Sequence, residues 1–248
     1  MTARAKFLRW DLTETAKDIQ RLRQEYQARA NRYREANPYS FMNPSHLFII
    51  QQRERKILDL LRGFGENELS KMQILAIGCG NGAVLLDLVR YGADSYHVWG
   101  IDLIYNRLKN AKEVLPSGKF LSGDGQSLPF QSQSFDLLLQ FTAFSSILDS
   151  KIKQNMAAEM LRVLKPGGAI LWYDFWWNPT NPQTIGIKPK EIKTLFPNCE
   201  YVFEKITLAP PLARRIVTIS WQLAVFLESL KLFNSHYLVL IKKRDRIL

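Results

Sequence analysis

The stretch Ile74-Leu75-Ala76-Ile77-Gly78-Cys79-Gly80-Asn81-Gly82 joins an apolar run to three glycines, and a helix-period segment follows it. Gly78 permits a tight turn, and Gly80 and Gly82 let backbone approach a ligand where a Cβ would collide. Between a buried strand and a helix, such a loop suits a nucleotide-like ligand at the carboxyl edge of a parallel sheet. Asp102 ends the next apolar run, Val98-Trp99-Gly100-Ile101. A carboxylate there can accept both hydroxyls of a ribose, or cap the helix that follows. A second acid lies in Ser122-Gly123-Asp124-Gly125-Gln126-Ser127-Leu128. Asp124 can accept from an adenine amine, with Leu103 and Leu128 supplying apolar faces for the ring.

Other groups that could do chemistry are few. There are three histidines. His97 and His236 begin apolar runs and read as structural or surface residues, whereas His46 follows two Asn-Pro breakers close to Tyr39. Asp174 follows Trp172-Tyr173 and precedes Phe175-Trp176-Trp177, which places a carboxylate and several rings at a strand end. Cys79 and Cys199 are far apart and form no C-x-x-C, so neither a disulfide framework nor a metal site is expected.

These residues need an α/β scaffold. Apolar runs at 72–77, 97–101, 119–122, 135–141 and 169–175 alternate with helical patterns at 84–91, 104–115 and 152–163. That alternation predicts a parallel sheet covered on both faces. A short helix at 189–195, a strand at 200–208 and a strand at 236–243 complete it. The expected fold is a Rossmann-like, doubly wound, mostly parallel seven-stranded sheet. It carries a helical N-terminal preface (helices 11–35 and 47–62, the first capped by Asp11 or Thr13) and a helical insert, 209–234, before the last strand. We read residues 1–248 as one domain: preface 1–70, cofactor-binding core 71–183, and acceptor-side part 184–248.

Two further segments complete a pattern: Ser134-Phe135-Asp136-Leu137-Leu138-Leu139-Gln140-Phe141, and Met160-Leu161-Arg162-Val163-Leu164-Lys165-Pro166-Gly167-Gly168, where a helix stops on Pro and Gly. With the glycine loop and the two acidic turns, they resemble the class I S-adenosylmethionine-dependent methyltransferases, most closely the small-molecule branch. The resemblance covers about residues 70–176. It implies S-adenosylmethionine as cofactor, with Gly78, Gly80 and Asn81 at its methionine part and Asp102 at its ribose. Asp124, Gly125, Gln126 and Leu103 would surround the adenine, and Gln140, Phe141 and Thr142 would floor the sulfonium. The family's acidic residue two positions before the first glycine is Ala76 here. Gly78, Gly80 and Ala83 also satisfy a dinucleotide pattern, but Gly82 and the Asp124-Gly125-Gln126 turn have no role in that reading.

Methyl transfer from a sulfonium depends chiefly on positioning, and a base is needed only for acceptors such as hydroxyls. His46 and Asp174 are the candidate catalytic residues, and Tyr39, Tyr173, Trp176 and Arg215 the candidate acceptor contacts. The segment after the fourth strand, Gln140-Phe141-Thr142-Ala143, lacks the Asn/Asp-Pro-Pro-aromatic turn of nucleobase amine methylation, so nucleic acid is disfavoured. The expectation is O-methylation of a small-molecule, glycan or peptide acceptor. The alternatives are a quinone or lipid methyltransferase and a non-catalytic binding protein on the same fold.

Formal charge is +11 and uneven. Residues 1–35 hold nine basic against five acidic side chains and residues 184–248 eleven against five, whereas 36–183 is nearly balanced. Both basic ends flank the expected acceptor side, which suits a solvated surface or a patch for an anionic acceptor, nucleic acid or an anionic membrane. Residues 1–46 and the insert, with its stripe of Leu212, Ile216, Ile219, Leu223, Phe226 and Leu230, are expected to close over the methyl as a lid. The charged start has no signal-peptide core, and the longest apolar stretch, 216–227, falls short of the roughly 20 residues of a membrane span. A cytoplasmic protein is expected, with peripheral membrane contact open and oligomeric state undetermined.

Overall fold

A computed structural model describes residues 3–32, 37–64, 68–179 and 181–244. Seven strands form one sheet: β1 (Ile74–Ile77), β2 (Val98–Asp102), β3 (Lys119–Ser122), β4 (Phe135–Phe141), β5 (Leu164–Phe175), β6 (Cys199–Leu208) and β7 (Asn234–Lys243). Their order is β3-β2-β1-β4-β5-β7-β6. The first five are parallel, and β7 runs antiparallel to both neighbours. All four β1 residues are buried, as a strand covered on both faces requires. Leu75 and Ile77 join the core on one face with Met156 and Trp172, and Ile74 and Ala76 join the core on the other with Leu85 and Tyr173.

The chain leaves β1 toward β2 on one side and returns through β4 on the other. Ile77 is in register with Ile101 on one flank and Gln140 on the other. Loops after these strands therefore open at one edge, at the reversal of strand order where α/β sheets bind ligands.

Among the described residues eight α-helices surround the sheet: α1 (Ala3–Arg32), α2 (Pro44–Leu61), α3 (Ala83–Arg90), α4 (Tyr105–Val114), α5 (Ser150–Val163), α6 (Pro189–Leu195), α7 (Pro210–Ile216) and α8 (Trp221–Ser229). Four boundaries differ from expectation. Helix α1 runs back to Ala3, so Asp11 and Thr13 lie inside it and do not cap it; residues 33–35 of the expected helix lie outside the described residues. The Asn43-Pro44 breaker starts α2, since the Asn43 side chain accepts from Ser45 N–H and Pro44 takes the first-turn position where its missing N–H costs nothing. Strand β5 begins at Leu164, paired with Phe135, so Pro166-Gly167-Gly168 is accommodated by a register shift and does not end the element. The insert is two helices, because Ser220 turns extended and accepts from Leu223 N–H to start α8.

Candidate active site

The glycine turn is held by the neighbouring strand. Gly78 and Cys79 N–H both donate to the Ile101 carbonyl, at 2.8 and 3.1 Å. Gly78 and Gly82 have φ of +67° and +79°, and a Cβ on Gly78 would lie 2.9 Å from Ala143 Cβ. Asp102 is buried beside them. One carboxylate oxygen accepts from Gly80 N–H at 2.8 Å, the other from Ile104 N–H at 2.9 Å. Shaping the loop and binding a ribose are thus compatible, since each oxygen keeps a second acceptor direction. The Cys79 thiol is pushed up to about 12 by burial and by Asp102, so it stays protonated and offers no nucleophile.

A crevice runs from this turn past Asp102, Leu103, Ile104 and Arg107 to Gly123, Asp124 and Gly125, and back along Phe141 and Thr142. Its roof is α1. Ile19, Leu22 and Tyr26, the sparse apolar stripe of a mostly polar helix, line the crevice. Polar contacts fix the helix there: Asp18 accepts from Leu148 and Asp149 N–H at 3.0 and 3.1 Å, and Arg21 donates to Gln183 Oε1 at 2.9 Å. Arg107 reaches into the crevice, its guanidinium 3.5 Å from Asp102 and its Cζ 4.7 Å from the centre of the Tyr26 ring.

A second cavity, of about 740 Å³, lies beside the first and shares Thr142 and Ser146 with it. Arg53 and Arg214 line it, as do His46, Tyr39, Tyr173 and His236. Arg53 lies over the rings of Phe141 and Tyr173, at 5.4 and 5.2 Å. Among the described residues no carboxylate pairs with Arg53 or Arg214, whereas Arg29 and Arg32 in the same wall are both paired with Glu25. His46 packs edge-on against Tyr39 and Phe41, and burial together with Arg53 lowers its pKa, so the ring is neutral at neutral pH. His236 is buried flat against Tyr173, whose hydroxyl lies 2.9 Å from Thr207 Oγ1. Thr142, the residue between the two spaces, has φ +57°. That is unusual for a β-branched side chain and concentrates strain where the crevice meets the cavity.

The structure gathers the residues singled out in the sequence unevenly. Gly78, Asp102, Leu103, Asp124, Gly125 and Phe141 line the crevice, and Gly80 borders it through Asp102. Asn81 is exposed beyond the turn. Gln126 points away, donating to Asp124 at 3.0 Å and accepting from Asn155 at 3.0 Å. Gln140 is fully buried and donates to Asp174 at 2.7 Å, so it does not floor the crevice. Asp174 also accepts from Ser145 and Phe175 N–H and lies behind both spaces, so it meets no acceptor. Burial raises its pKa to about 6, with those hydrogen bonds limiting the rise. Tyr39, His46 and Tyr173 line the cavity. Trp176 turns to a third, apolar groove and donates to the Asn234 carbonyl at 2.7 Å. Arg214 lines the cavity and its neighbour Arg215 does not, because one residue along a helix is a rotation of about 100°. Tyr26, Arg53, Arg107 and His236 line the two spaces although they were not among the residues singled out as site candidates. Only Tyr26, with its helical spacing from Ile19 and Leu22, left a signal in the sequence.

Residues 74–168 match the family model described as a methyltransferase domain. A phthiotriol/phenolphthiotriol dimycocerosates methyltransferase of Mycobacterium ulcerans is 34% identical over 122 residues, 46% of this chain and 41% of that protein. A demethylmenaquinone methyltransferase of Lactococcus lactis is 29% identical over 136 residues, 53% of this chain and 51% of that one. The chain thus spans about half or less of the length of these curated relatives. A SAM-dependent methyltransferase from Thermotoga maritima superposes with a TM-score of 0.60 at 14% identity, covering 90% of this chain and 99% of that one, a likeness of fold. Residues 74–168 thus match a methyltransferase domain, on a fold shared with S-adenosylmethionine-dependent methyltransferases. No described helix is long and apolar enough to cross a membrane.

Proposed function

We propose that this protein methylates a small or medium-sized acceptor that bears an anionic or electron-rich group, with S-adenosylmethionine in the crevice and the acceptor in the arginine-lined cavity. One observation carries the reading: the two spaces meet at Thr142 and Ser146, where a donor group and an acceptor atom can face each other. The residues present fit the cofactor, with a glycine turn that admits backbone approach and a buried carboxylate ending β2. When bound, it supplies an electrophilic methyl on a sulfonium. Asp102 would hold its ribose and Asp124 with Gly125 its adenine. Ile19, Leu22 and Tyr26 exclude water from the crevice, which strengthens every polar contact within. Arg53 and Arg214 would orient the acceptor's negative group. Neutral His46 would take the proton from an acceptor hydroxyl, which makes O-methylation the favoured outcome.

A quinone or lipid acceptor is the second reading. The apolar groove beside the cavity shares Phe175, Asn178, Pro210 and Pro211 with it, giving an apolar tail a place next to a polar head. The test is acceptor-dependent release of S-adenosylhomocysteine across carboxylate, phenol, hydroquinone and sugar acceptors. Release that requires His46 with phenols or sugars supports the base role. Release unaffected by Arg53→Met with every acceptor removes the arginine reading. Absence of any thermal shift with S-adenosylmethionine or S-adenosylhomocysteine removes the enzyme.

A further inference from the structure

Helix α8 packs inward through one face only. Trp221 lies edge-on to Phe48 at 5.2 Å, and Ala224 is fully buried with Phe48, Leu208 and Val217. Leu223 and Phe226 on α8 are exposed, as are Leu230 at its C-cap and Ile219 in the turn before it, Ile219 by 77% and Phe226 by 58%. Of the stripe expected to seal the methyl site, Leu212 and Ile216 pack inward and these four side chains face solvent. Leu232, 72% exposed, extends the same surface to the third groove, of about 550 Å³. A run of large exposed apolar side chains within fifteen or so residues is more than scattered surface hydrophobics account for.

Beside this surface Lys231 is paired with Glu204 at 3.0 Å, and two arginines lie further along. Arg214 and Arg215 are exposed at the end of α7, and among the described residues neither pairs with a carboxylate. The acid on α8 itself, Glu228, is turned inward, accepting from Thr207 N–H at 2.9 Å. Basic groups beside an apolar helix face match an anionic lipid surface, where apolar side chains enter the headgroup boundary and the cations meet phosphate. A second copy of this chain fits less well, because each copy carries a formal charge of +11. We infer that the outer face of α8, with Leu232 and Arg215, docks the protein on the surface of an anionic membrane. Docked so, the third groove, which shares walls with the acceptor cavity, opens near the lipid.

The test is flotation of the full chain with vesicles of phosphatidylcholine alone or mixed with phosphatidylglycerol. The wild type is expected to float with the mixed vesicles and to be released by high salt. Phe226→Glu combined with Leu230→Glu should lower partitioning by about tenfold or more, and Arg215→Gln by about fivefold. Each variant must keep the wild-type melting temperature and its shift with S-adenosylhomocysteine, which separates lost docking from lost fold or lost cofactor site. Equal flotation with both vesicle types, undiminished flotation of the double variant, or no flotation at all overturns the inference. So does a dimer in light scattering that the double variant converts to monomer, since a second copy would then cover the face.

Discussion

The crevice and the cavity that meet at Thr142 are assembled differently. Apart from its α1 roof, the crevice comes from one contiguous part of the chain, residues 77–156, and its charged groups are two carboxylates at or just after strand ends and Arg107 beside one of them. The cavity draws on residues from Glu25 to His236, contributed by α1, α2, α7, β5, β6 and β7, and its free charges are guanidinium groups on helices. A site made at strand ends inherits its geometry from sheet register. A site made between separate elements inherits it from how those elements pack, so it can change acceptor without disturbing the crevice.

The largest effect should come from Asp102→Ala, which acts on the crevice alone. Two charge-assisted hydrogen bonds to a ribose are worth roughly 1.5–3 kcal/mol each, so affinity for S-adenosylhomocysteine should fall by about a hundredfold or more. Calorimetry on Asp102→Asn, which keeps one acceptor oxygen for the loop, separates ligand loss from loop distortion. A change below about threefold in both would leave Asp102 a loop residue only.

His236 probes the cavity through pH. Burial, reinforced by Arg53, pushes its pKa down to about 3 from the ordinary 6.5. A histidine whose folded pKa is depressed stabilises the fold above about pH 6.5, and that contribution is lost as pH falls toward 3. At pH 5 the loss is about 2 kcal/mol. His236→Phe keeps a ring against Tyr173 and should remove the slope, as read by urea melts at pH 7 and pH 5. Asp174 titrates in the opposite sense, its raised pKa giving up stability as pH rises toward about 6, but it does so in both proteins and cancels in the comparison. Equal acid sensitivity in both would break the account of the cavity wall.

Arg53→Met keeps the apolar stem against Phe141 and Tyr173 and removes the charge. With an anionic acceptor, kcat/KM should fall about tenfold, near 1.4 kcal/mol, while the Kd for S-adenosylhomocysteine moves less than about twofold. A matching fall in cofactor affinity would mean that the two spaces are not separable.

The smallest effect is expected from Arg107→Met. A half-exposed ion pair contributes about 0.2–1 kcal/mol, so freeing Asp102 from Arg107 should tighten S-adenosylhomocysteine by up to about fivefold. Weaker binding would show instead that Arg107 contacts the cofactor.

By itself the sequence determined the parallel core and the acidic groups of the crevice. Strands such as Ile74–Ile77 must be apolar throughout to be buried on both faces, and a carboxylate at a strand end reaches the sheet's edge wherever the register is parallel. Apolar periodicity also announced the insert, but not its direction. Only packing decided that α8 buries Ala224 and Trp221 and leaves Phe226 outside, since a helix hydrophobic on two sides can present either. Asp174 and Gln140 line neither space for a related reason. Both sit near strand ends, yet they bond to each other across adjacent strands, and pairing across a sheet is invisible in a single line of residues. The arginines of the cavity lie furthest from view. Nothing near Arg53 or Arg214 in the chain distinguishes them from other basic helix residues, and only the docking of α2 and α7 beside β5 and β7 turns them toward one space.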